Sequence, residues 1–224
     1  MQERLLEIYH KLNECYGKTN WWPADTIDEI IVGAVLTQNT NWQNVEKSLK
    51  NLKENNLLDT KKLLLIEENK LKELIKPSGF YNIKTERLKN VLMFFEKMCD
   101  GDFNKLSNFD LNFLRNKLLS VKGVGKETAD SILLYALNYP IFVIDAYTKR
   151  LLSRIGVSNE ESYDSLQRIF HENLKQDILI YKEFHALIVI HCKKVCKKKP
   201  ECENCSLKKF CYYYNSNNNG KLVG

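Results

Sequence analysis

Apolar residues recur at three- and four-residue intervals along almost the whole chain, which is the spacing that gives a helix one buried face. A clear example follows the helix-start signal Asp25-Thr26, with apolar residues at Ile27, Ile30, Ile31, Ala34 and Val35. Proteins built from many strands need frequent tight turns, yet the 224 residues contain only nine Gly and four Pro. The sequence therefore predicts an all-α protein.

The same spacing predicts further helices at about 42–53, 84–98, 109–119, 128–137, 147–155, 162–174 and 181–192. The apolar stretch 141–144 is too isolated to belong to a sheet, so we expect a buried extended connection there. Residues 77–82 contain Pro and Gly and are predicted to form a loop. The polar stretch that follows Cys211 is predicted to be loose.

Charge and hydropathy restrict the partners of the protein. The formal net charge is +6, and seven Lys against two Glu between Cys192 and Cys211 give that stretch a net +5. Such a patch suits a polyanion, and a solvated lysine-rich surface is the alternative. No apolar run approaches the length of about 18 residues that a membrane helix needs, and the N-terminus lacks the apolar stretch of a secretion signal. We therefore expect a cytoplasmic protein without a membrane partner.

Residues 118–130 predict two helices joined by a tight turn. Glycines allow positive φ and a close approach of the backbone, and the N-terminus of the second helix presents N–H groups that suit a phosphate. The turn carries two glycines and two lysines and is followed by a threonine: Gly123, Gly125, Lys122, Lys126 and Thr128. A plain connecting turn is the alternative, but the basic flanks favour DNA binding.

The hairpin sequence at 121–129, Val-Lys-Gly-Val-Gly-Lys-Glu-Thr-Ala, resembles the helix–hairpin–helix of the endonuclease III superfamily of DNA glycosylases. Three other segments resemble that family, in the same order along the chain. They are the Gln-containing loop at 36–40, the DNA-penetrating loop at 78–84 and the apolar stretch at 141–145 that ends in an Asp. The resemblance covers most of the chain.

The resemblance implies a six-helix barrel domain at 25–140 that contains the hairpin at about 112–138. It implies a second helical domain, formed by 1–24 and 141–213, that carries a [4Fe–4S] cluster loop, and a loose tail at 214–224. The implied function is base excision repair, in which a damaged base is flipped out of the duplex and its N-glycosidic bond is hydrolysed. We expect a monomer that acts on double-stranded DNA associated with the nucleoid.

Five of the seven cysteines fall between Cys192 and Cys211, which in a reducing compartment indicates a metal site rather than disulfides. The loop formed by Cys196, Cys202, Cys205 and Cys211 resembles the [4Fe–4S] loop of the family. A structural Zn²⁺ ion is the alternative, but zinc ribbons carry two Cys-x2-Cys pairs and this loop has one. The first spacing is one residue shorter than the usual family spacing, so Cys192 remains an alternative first ligand.

The resemblance assigns catalysis to Asp145, whose carboxylate would stabilise positive charge on the sugar and orient water. Asp is also a favoured helix N-cap, so Asp145 can cap the helix that follows, alone or in addition. Strand-cleaving members carry a lysine nucleophile where this chain has Glu127, and a carboxylate cannot form a Schiff base. We therefore expect a monofunctional glycosylase with weak or absent AP-lyase activity, in which Glu127 is a second carboxylate of the site or simply faces solvent.

All three tryptophans lie in two places, at Trp21-Trp22 and at Trp42. Core packing explains most tryptophans, but Trp-Trp-Pro-Ala followed by Leu-Thr-Gln-Asn-Thr, with Glu at the lysine position, is similar to the 3-methyladenine glycosylase branch. That similarity implies a flipped base stacked between Trp21 and Trp42, with Trp22 and Pro23 as walls. Electron-rich rings suit a positively charged alkylated purine.

Two loop residues complete the implied DNA contacts. Gln38 would fill the gap left in the duplex, and Phe80 would wedge beside the orphaned base. Two alternatives remain: an endonuclease III-like glycosylase for oxidised pyrimidines or mismatched bases, and a DNA-structure-binding protein without catalysis. The presence of Asp145 argues against the second.

Overall fold

The structure is a computed structural model that describes residues 1–218 of the chain. Within that range every regular element is helical, and the prediction of an all-α protein is confirmed. Twelve α-helices lie in the described part: α1 Gln2–Tyr16, α2 Ile27–Leu36, α3 Trp42–Glu54, α4 Thr60–Leu65, α5 Glu68–Ile75, α6 Tyr81–Cys99, α7 Leu111–Leu119, α8 Lys126–Ser131, α9 Ala146–Arg154, α10 Tyr163–Asn173, α11 Ile178–Lys194 and α12 Tyr212–Asn218.

Short 3₁₀ segments at Lys76–Ser78, Phe103–Asn108, Cys202–Asn204 and Lys208–Phe210, and a π-helical turn at Ile132–Ala136, complete the set. The chain divides into two units, one formed by Met1–Trp22 with Pro140–Gly224 and the other by Pro23–Tyr139. None of the helices in residues 1–218 has the length and apolar character that crossing a membrane requires.

Helix α2 is the centre of the second unit, Pro23–Tyr139. The side chain of Thr26 caps its first turn by accepting the Glu29 N–H, and the run that follows is almost entirely buried. It packs against α3, α6, α8 and the π-helical turn. Full burial of side chains such as Ile31 and Leu36 contributes about 1.5–3 kcal/mol each.

The first unit is built on α11, which packs against α1 and α9. Its core is aromatic: the rings of Phe142 and Phe170 stack with centroids 3.6 Å apart, and Tyr181 and Phe184 meet Phe142 edge-on. The stretch 141–144 is irregular and buried, so the prediction of a buried connection is confirmed.

Two local predictions are wrong. Tyr81 and Asn82 are not in a loop but begin α6, because Phe80 adopts a left-handed conformation that turns the chain directly into the helix. The stretch after Cys211 is not loose over 212–218 but forms α12, where the Arg154 guanidinium lies 5.1 Å from the centre of the Tyr213 ring. The rest of the predicted tail, 219–224, lies outside the described residues.

Candidate active site and DNA interface

The hairpin between α7 and α8 turns tightly, with the Val124 N–H donating to the Val121 carbonyl at 3.0 Å. Gly123 has a φ of +93°, and a Cβ there would collide with the side chain of Arg87. Gly125 is the N-cap of α8 with a φ of −96°, so the expectation of a positive φ is met only by Gly123. An added Cβ at Gly125 would have no described atom within 4 Å, which leaves the helix start open to approach from outside.

Charged side chains surround this helix start. Lys122 and Lys126 are exposed, as is Glu127 in the first turn of α8. The Lys122 ammonium pairs with Glu86 at 2.7 Å, and both side chains are more than half exposed. A pair of that kind is worth about 1 kcal/mol or less, so a phosphate can compete for Lys122.

Gln38 joins the C-terminal end of α2 to the hairpin. Its side-chain N–H groups donate to the Gly123 carbonyl at 3.1 Å and to the Thr128 hydroxyl at 3.0 Å, and its carbonyl accepts from Arg87 at 2.6 Å. Thr128 is buried, so its hydroxyl acts here as a partner of Gln38 inside the protein. The structure thus brings together three residues that the sequence analysis assigned separately to DNA binding.

Lys84 is a functional candidate that the sequence analysis missed. Its side chain is 1% exposed, and its ammonium donates to the carbonyls of Leu36 at 2.8 Å and Ser78 at 2.7 Å. Burial, with a smaller contribution from Arg87, lowers the pKa of Lys84 to about 8. The available signal was a lysine at helical spacing from Leu88, on the face of α6 that also carries Val91.

Phe80 is presented to solvent in a costly conformation. Its backbone is left-handed, with φ 47° and ψ 31°, and its side chain is 66% exposed. Left-handed backbone at a bulky residue costs on the order of 1–3 kcal/mol and persists where the surroundings enforce it. Ile83, 51% exposed, lies one turn further along α6. The two form an apolar projection on this unit.

Asp145 caps α9 and is buried, with 9% of its surface exposed. One carboxylate oxygen accepts the Thr148 N–H at 2.7 Å, and the other lies 3.5 Å from Nε2 of His185. Burial acts most strongly and would raise the pKa of Asp145. The hydrogen bond and charge of His185, with the Thr148 N–H, outweigh it and hold that pKa below its usual value.

His185 is therefore a second residue that the sequence analysis missed. The signal for it was a histidine inside the apolar stretch of α11, where a polar side chain is buried only if it has a partner.

The Trp21-Trp22 segment is fixed by Glu183 of α11. The Glu183 carboxylate accepts the Thr19 N–H at 2.6 Å and the Thr19 hydroxyl at 3.0 Å, and that hydroxyl accepts the Trp21 N–H at 3.3 Å. Both rings are half-buried and tilted by 52° to each other. The Lys193 ammonium lies 5.8 Å from the centre of the Trp21 ring.

Trp42 and Pro23 belong to the second unit. Trp42 is the first residue of α3, is half-buried, and donates from its ring N–H to Glu46 at 2.7 Å. Pro23 is exposed.

The four predicted cysteine ligands line one pocket together with Arg154. The thiol of the alternative ligand, Cys192, lies 3.6 Å from the Tyr147 carbonyl and is not among the described residues that line the pocket. A hydrogen bond with Cys192 and, against the effect of burial, the Arg154 guanidinium lower the pKa of Cys196 to about 6. Burial raises the pKa of Cys205 to about 11, with smaller contributions from the other three thiols.

Arg154, at the end of α9, holds the beginning of this loop. Its guanidinium donates to the carbonyls of Cys196, Lys197 and Lys198 at 3.3, 2.6 and 3.0 Å. It also lies 3.3 Å from the Cys196 sulfur. Arg150, one turn earlier, donates to the Cys196 carbonyl at 2.9 Å. These bonds fix the first of the four cysteines to α9.

The structure contains the basic helix–hairpin–helix and the buried carboxylate at a helix N-terminus that the sequence resemblance predicts for an all-α base excision DNA repair protein. Residues 32–176 match the HhH-GPD superfamily of base excision DNA repair proteins, and the chain belongs to that family. It is a base excision repair DNA glycosylase.

Related proteins agree with this assignment. A Methanocaldococcus jannaschii protein that carries the name of a DNA repair glycosylase is 55% identical over 93% of this chain and 96% of its own length. The endonuclease III of Sulfolobus acidocaldarius is 28% identical over 94% of this chain and 96% of its own length. The crystal structure of the H. pylori 3-methyladenine DNA glycosylase bound to 1,N6-ethenoadenine has a TM-score of 0.76 and 33% identity, and covers 85% of this chain and 97% of its own. A non-covalent endonuclease III–DNA complex, at 16% identity, shares the fold with a TM-score of 0.81 over 97% and 98% of the two chains.

Proposed function

We propose that the protein is a monofunctional glycosylase that hydrolyses the N-glycosidic bond of an alkylated purine such as 3-methyladenine, flipped out of duplex DNA. It acts as a monomer on nucleoid DNA in the cytoplasm. The observation that carries the proposal is the buried carboxylate of Asp145, held by the Thr148 N–H and by His185.

Asp145 is suited to stabilise charge. Its lowered pKa keeps it ionised at neutral pH, so a full negative charge faces the cation that develops on the sugar. Engagement of both oxygens also weakens it as a base. We therefore assign it electrostatic stabilisation and the orientation of water, while an alkylated purine, already positively charged, leaves without a dedicated general acid.

The absence of lyase chemistry follows from Glu127. The lysine that attacks C1′ in strand-cleaving members is replaced by an exposed carboxylate, which cannot form a Schiff base. Lys126 is one residue away, and one residue along a helix rotates the side chain by about 100°. Glu127 is proposed as a second carboxylate that helps to hold water.

DNA is bound by the hairpin and by two loops. Gly123 and Gly125 let a phosphate approach the N-terminus of α8, and Lys122 and Lys126 add charge. Thr128 supports this turn through its bond with Gln38.

On DNA, Gln38 would exchange its present partners for the gap left by the flipped nucleotide. Phe80, exposed on its strained backbone, would wedge beside the orphaned base.

The similarity to the 3-methyladenine glycosylase branch supports Trp21 and Trp42 as proposed stacking faces for the flipped base, and Trp22 and Pro23 as proposed walls. Stacking on an aromatic ring is worth about 1–3 kcal/mol per base. The cation–π attraction of an alkylated purine adds about 0.5–1 kcal/mol at an exposed site.

One observation favours a second candidate, a glycosylase for a neutral base such as an oxidised pyrimidine or a mismatched base. The Lys193 ammonium already lies over the Trp21 ring. A positively charged base stacked on the opposite face would lie roughly 9 Å from it, and two such charges repel by at most about 2 kcal/mol at an effective dielectric constant of about 20. A neutral base avoids that cost.

The four-cysteine pocket is proposed to hold a [4Fe–4S] cluster ligated by Cys196, Cys202, Cys205 and Cys211. A single tetrahedral Zn²⁺ would require thiolates roughly 3.8 Å apart, each about 2.3 Å from the ion. No three His, Cys, Asp or Glu side chains in residues 1–218 are grouped to hold one metal ion. The proposal rests instead on the four cysteines, which line one pocket and contain one Cys-x2-Cys pair where zinc ribbons carry two. The cluster would fix the lysine-rich loop against the phosphate backbone.

The decisive experiment offers the protein duplexes that each contain one lesion: 3-methyladenine, ethenoadenine, an oxidised pyrimidine or a mismatched base. Released bases and strand breaks are measured separately, with the Asp145→Asn variant as control. Release of alkylated purines without strand cleavage is expected. Release of neutral bases alone would support the second candidate, and binding without any release would make the protein a DNA-structure-binding protein.

A further inference from the structure

We propose that His191 is a positioning residue for the cluster, whose Nε2–H donates to the sulfur of Cys205 in an orientation set by the Tyr16 hydroxyl. The inference rests on the cluster proposed above and is independent of which base the enzyme removes.

The geometry places one partner at each ring nitrogen of His191. Nε2 lies 3.5 Å from the Cys205 sulfur, within the range of a hydrogen bond to sulfur, and Nδ1 lies 2.9 Å from the Tyr16 hydroxyl. The histidine has no exposed surface, and Tyr16 is half-buried at the end of α1. Tyr16, near the N-terminus of the chain, and Cys205, near its C-terminus, thus fix the plane of the His191 imidazole.

A cluster-bound thiolate decides the direction of both hydrogen bonds. Such a sulfur carries no proton and can only accept, so Nε2 must be the nitrogen that bears hydrogen. Nδ1 is then the acceptor, and the Tyr16 O–H donates to it. Tyr16 therefore selects the tautomer of His191 that can donate to Cys205, in the way that outer groups orient histidines around metal sites.

The backbone of His191 holds the same loop. Its carbonyl accepts the N–H groups of Val195 at 2.8 Å and Cys196 at 3.0 Å, where α11 ends and the cysteine loop begins. One residue thus contacts the third predicted ligand through its side chain and positions the first through its main chain. A histidine that merely filled space in the core would not make the side-chain contact with Cys205, whereas the backbone bonds are kept by any residue at this position.

The expected consequence is electronic. A hydrogen bond to a ligand sulfur withdraws electron density from the cluster, favours the reduced state and raises the reduction potential. A hydrophobic replacement of the same approximate size removes this bond but keeps the backbone carbonyl that holds the loop.

The test compares purified wild-type protein with His191→Leu, Tyr16→Phe and a control, His171→Leu. His171 accepts the Phe142 N–H in the same unit, and its ring stacks on that of Tyr181. Iron and sulfide content and the midpoint potential are measured for each. We expect all variants to contain the cluster. In His191→Leu the equilibrium constant for reduction should fall roughly three- to tenfold, where tenfold corresponds to a midpoint potential lower by 59 mV for one electron. In Tyr16→Phe the midpoint potential should fall by less.

The outcomes separate the two proposals. Loaded clusters with unchanged potentials in both variants overturn the role of His191 and leave the cluster in place. A potential that moves equally in His171→Leu also overturns it, since the shift would then reflect general loosening. If His191→Leu does not load, Tyr16→Phe decides. Wild-type protein that contains zinc and no iron overturns the cluster and this inference together, without bearing on the glycosylase activity.

Discussion

The Nε2 atom of His185 lies 3.5 Å from Oδ2 of Asp145, and both side chains are buried. The Thr148 N–H occupies the other carboxylate oxygen at 2.7 Å. A backbone donor of α9 and an imidazole nitrogen of α11 therefore contact the two oxygens of the carboxylate to which we assign catalysis. The charge of Asp145 and the contribution of His185 can be tested separately.

Asp145→Asn should reduce excision by roughly 10²-fold or more, because one preorganised electrostatic partner of the developing cation is lost. Asn is as good an N-cap as Asp but carries no charge, so the free energy of unfolding at neutral pH should fall by the contribution that the lowered pKa of Asp145 represents. DNA affinity should also change little, since phosphate contacts at the hairpin provide most of it. Single-turnover excision at saturating enzyme measures the chemical step. Excision at the wild-type rate would leave Asp145 as a helix cap only.

His185→Gln should move the pH dependence of excision. The loss of His185 leaves burial less opposed, so the pKa of Asp145 rises. The ionised carboxylate is the active form, and excision is lost as pH falls through that pKa. The acid limb of the rate profile should therefore shift to higher pH in the variant. Thr148, whose N–H bond to Asp145 remains, makes a complete loss of activity unexpected, and an unmoved acid limb would contradict the coupling.

The wild-type enzyme should leave abasic strands intact because Glu127 cannot form a Schiff base. Borohydride added during the reaction should trap no covalent DNA adduct, with an endonuclease III that does form one as the positive control. Denaturing gels resolve both products. Efficient trapping would show that another amine, such as Lys126 or Lys122, is the nucleophile.

Cys196→Ser and Cys192→Ser should differ in cluster content. The Cys196 thiol lines the pocket, whereas the Cys192 thiol points to the Tyr147 carbonyl. Anaerobically purified wild type and Cys192→Ser should contain about four iron and four sulfide per chain, and Cys196→Ser should lose most of both. The reverse pattern would make Cys192 the first ligand.

Lys84 should make stability rise with pH above about 8. The pKa of Lys84 is lowered to about 8 in the folded protein from the ordinary 10.5. Between these pH values the unfolded chain binds one more proton than the folded protein. The cost of burying the charged ammonium therefore disappears as pH rises, and the free energy of unfolding increases. The free energy of unfolding of wild type relative to Lys84→Met should increase over this window by at most about 3 kcal/mol. Urea unfolding at pH 7.5, 8.5 and 9.5 measures it. A difference that is flat with pH would mean that the lysine is charged throughout.

The helices and the order of the functional segments could be predicted because both depend on local sequence. A 3.6-residue apolar period and the turn at Gly123 are visible in a short window. Lys84 and His185 are marked in the sequence only as polar residues in apolar helical stretches, and the roles of both, like that of His191, depend on partners distant in the chain. Lys84, for example, is separated by 48 positions from the carbonyl of Leu36 that it binds.

The left-handed backbone of Phe80 is a second feature that local sequence does not predict. An aromatic residue disfavours that conformation, and its own sequence context predicted a longer loop. The bonds of Lys84 and of Ser48 to Ser78 at the start of the turn accompany this conformation, and they depend on tertiary contacts.

The Lys84 ammonium binds the carbonyls of both Leu36 and Ser78. This shared bond limits which changes of loop length or sequence such an enzyme can accept. The loop that carries Gln38 and the turn that carries Phe80 share a single anchor, so a change of length or course in one displaces the anchor of the other. Loop exchange between relatives should therefore succeed when the two segments and Lys84 are transferred as one block. Transfer of either alone should give a folded chain whose remaining loop is misplaced. The loop of Gln38 and the turn of Phe80 should therefore change together among related enzymes.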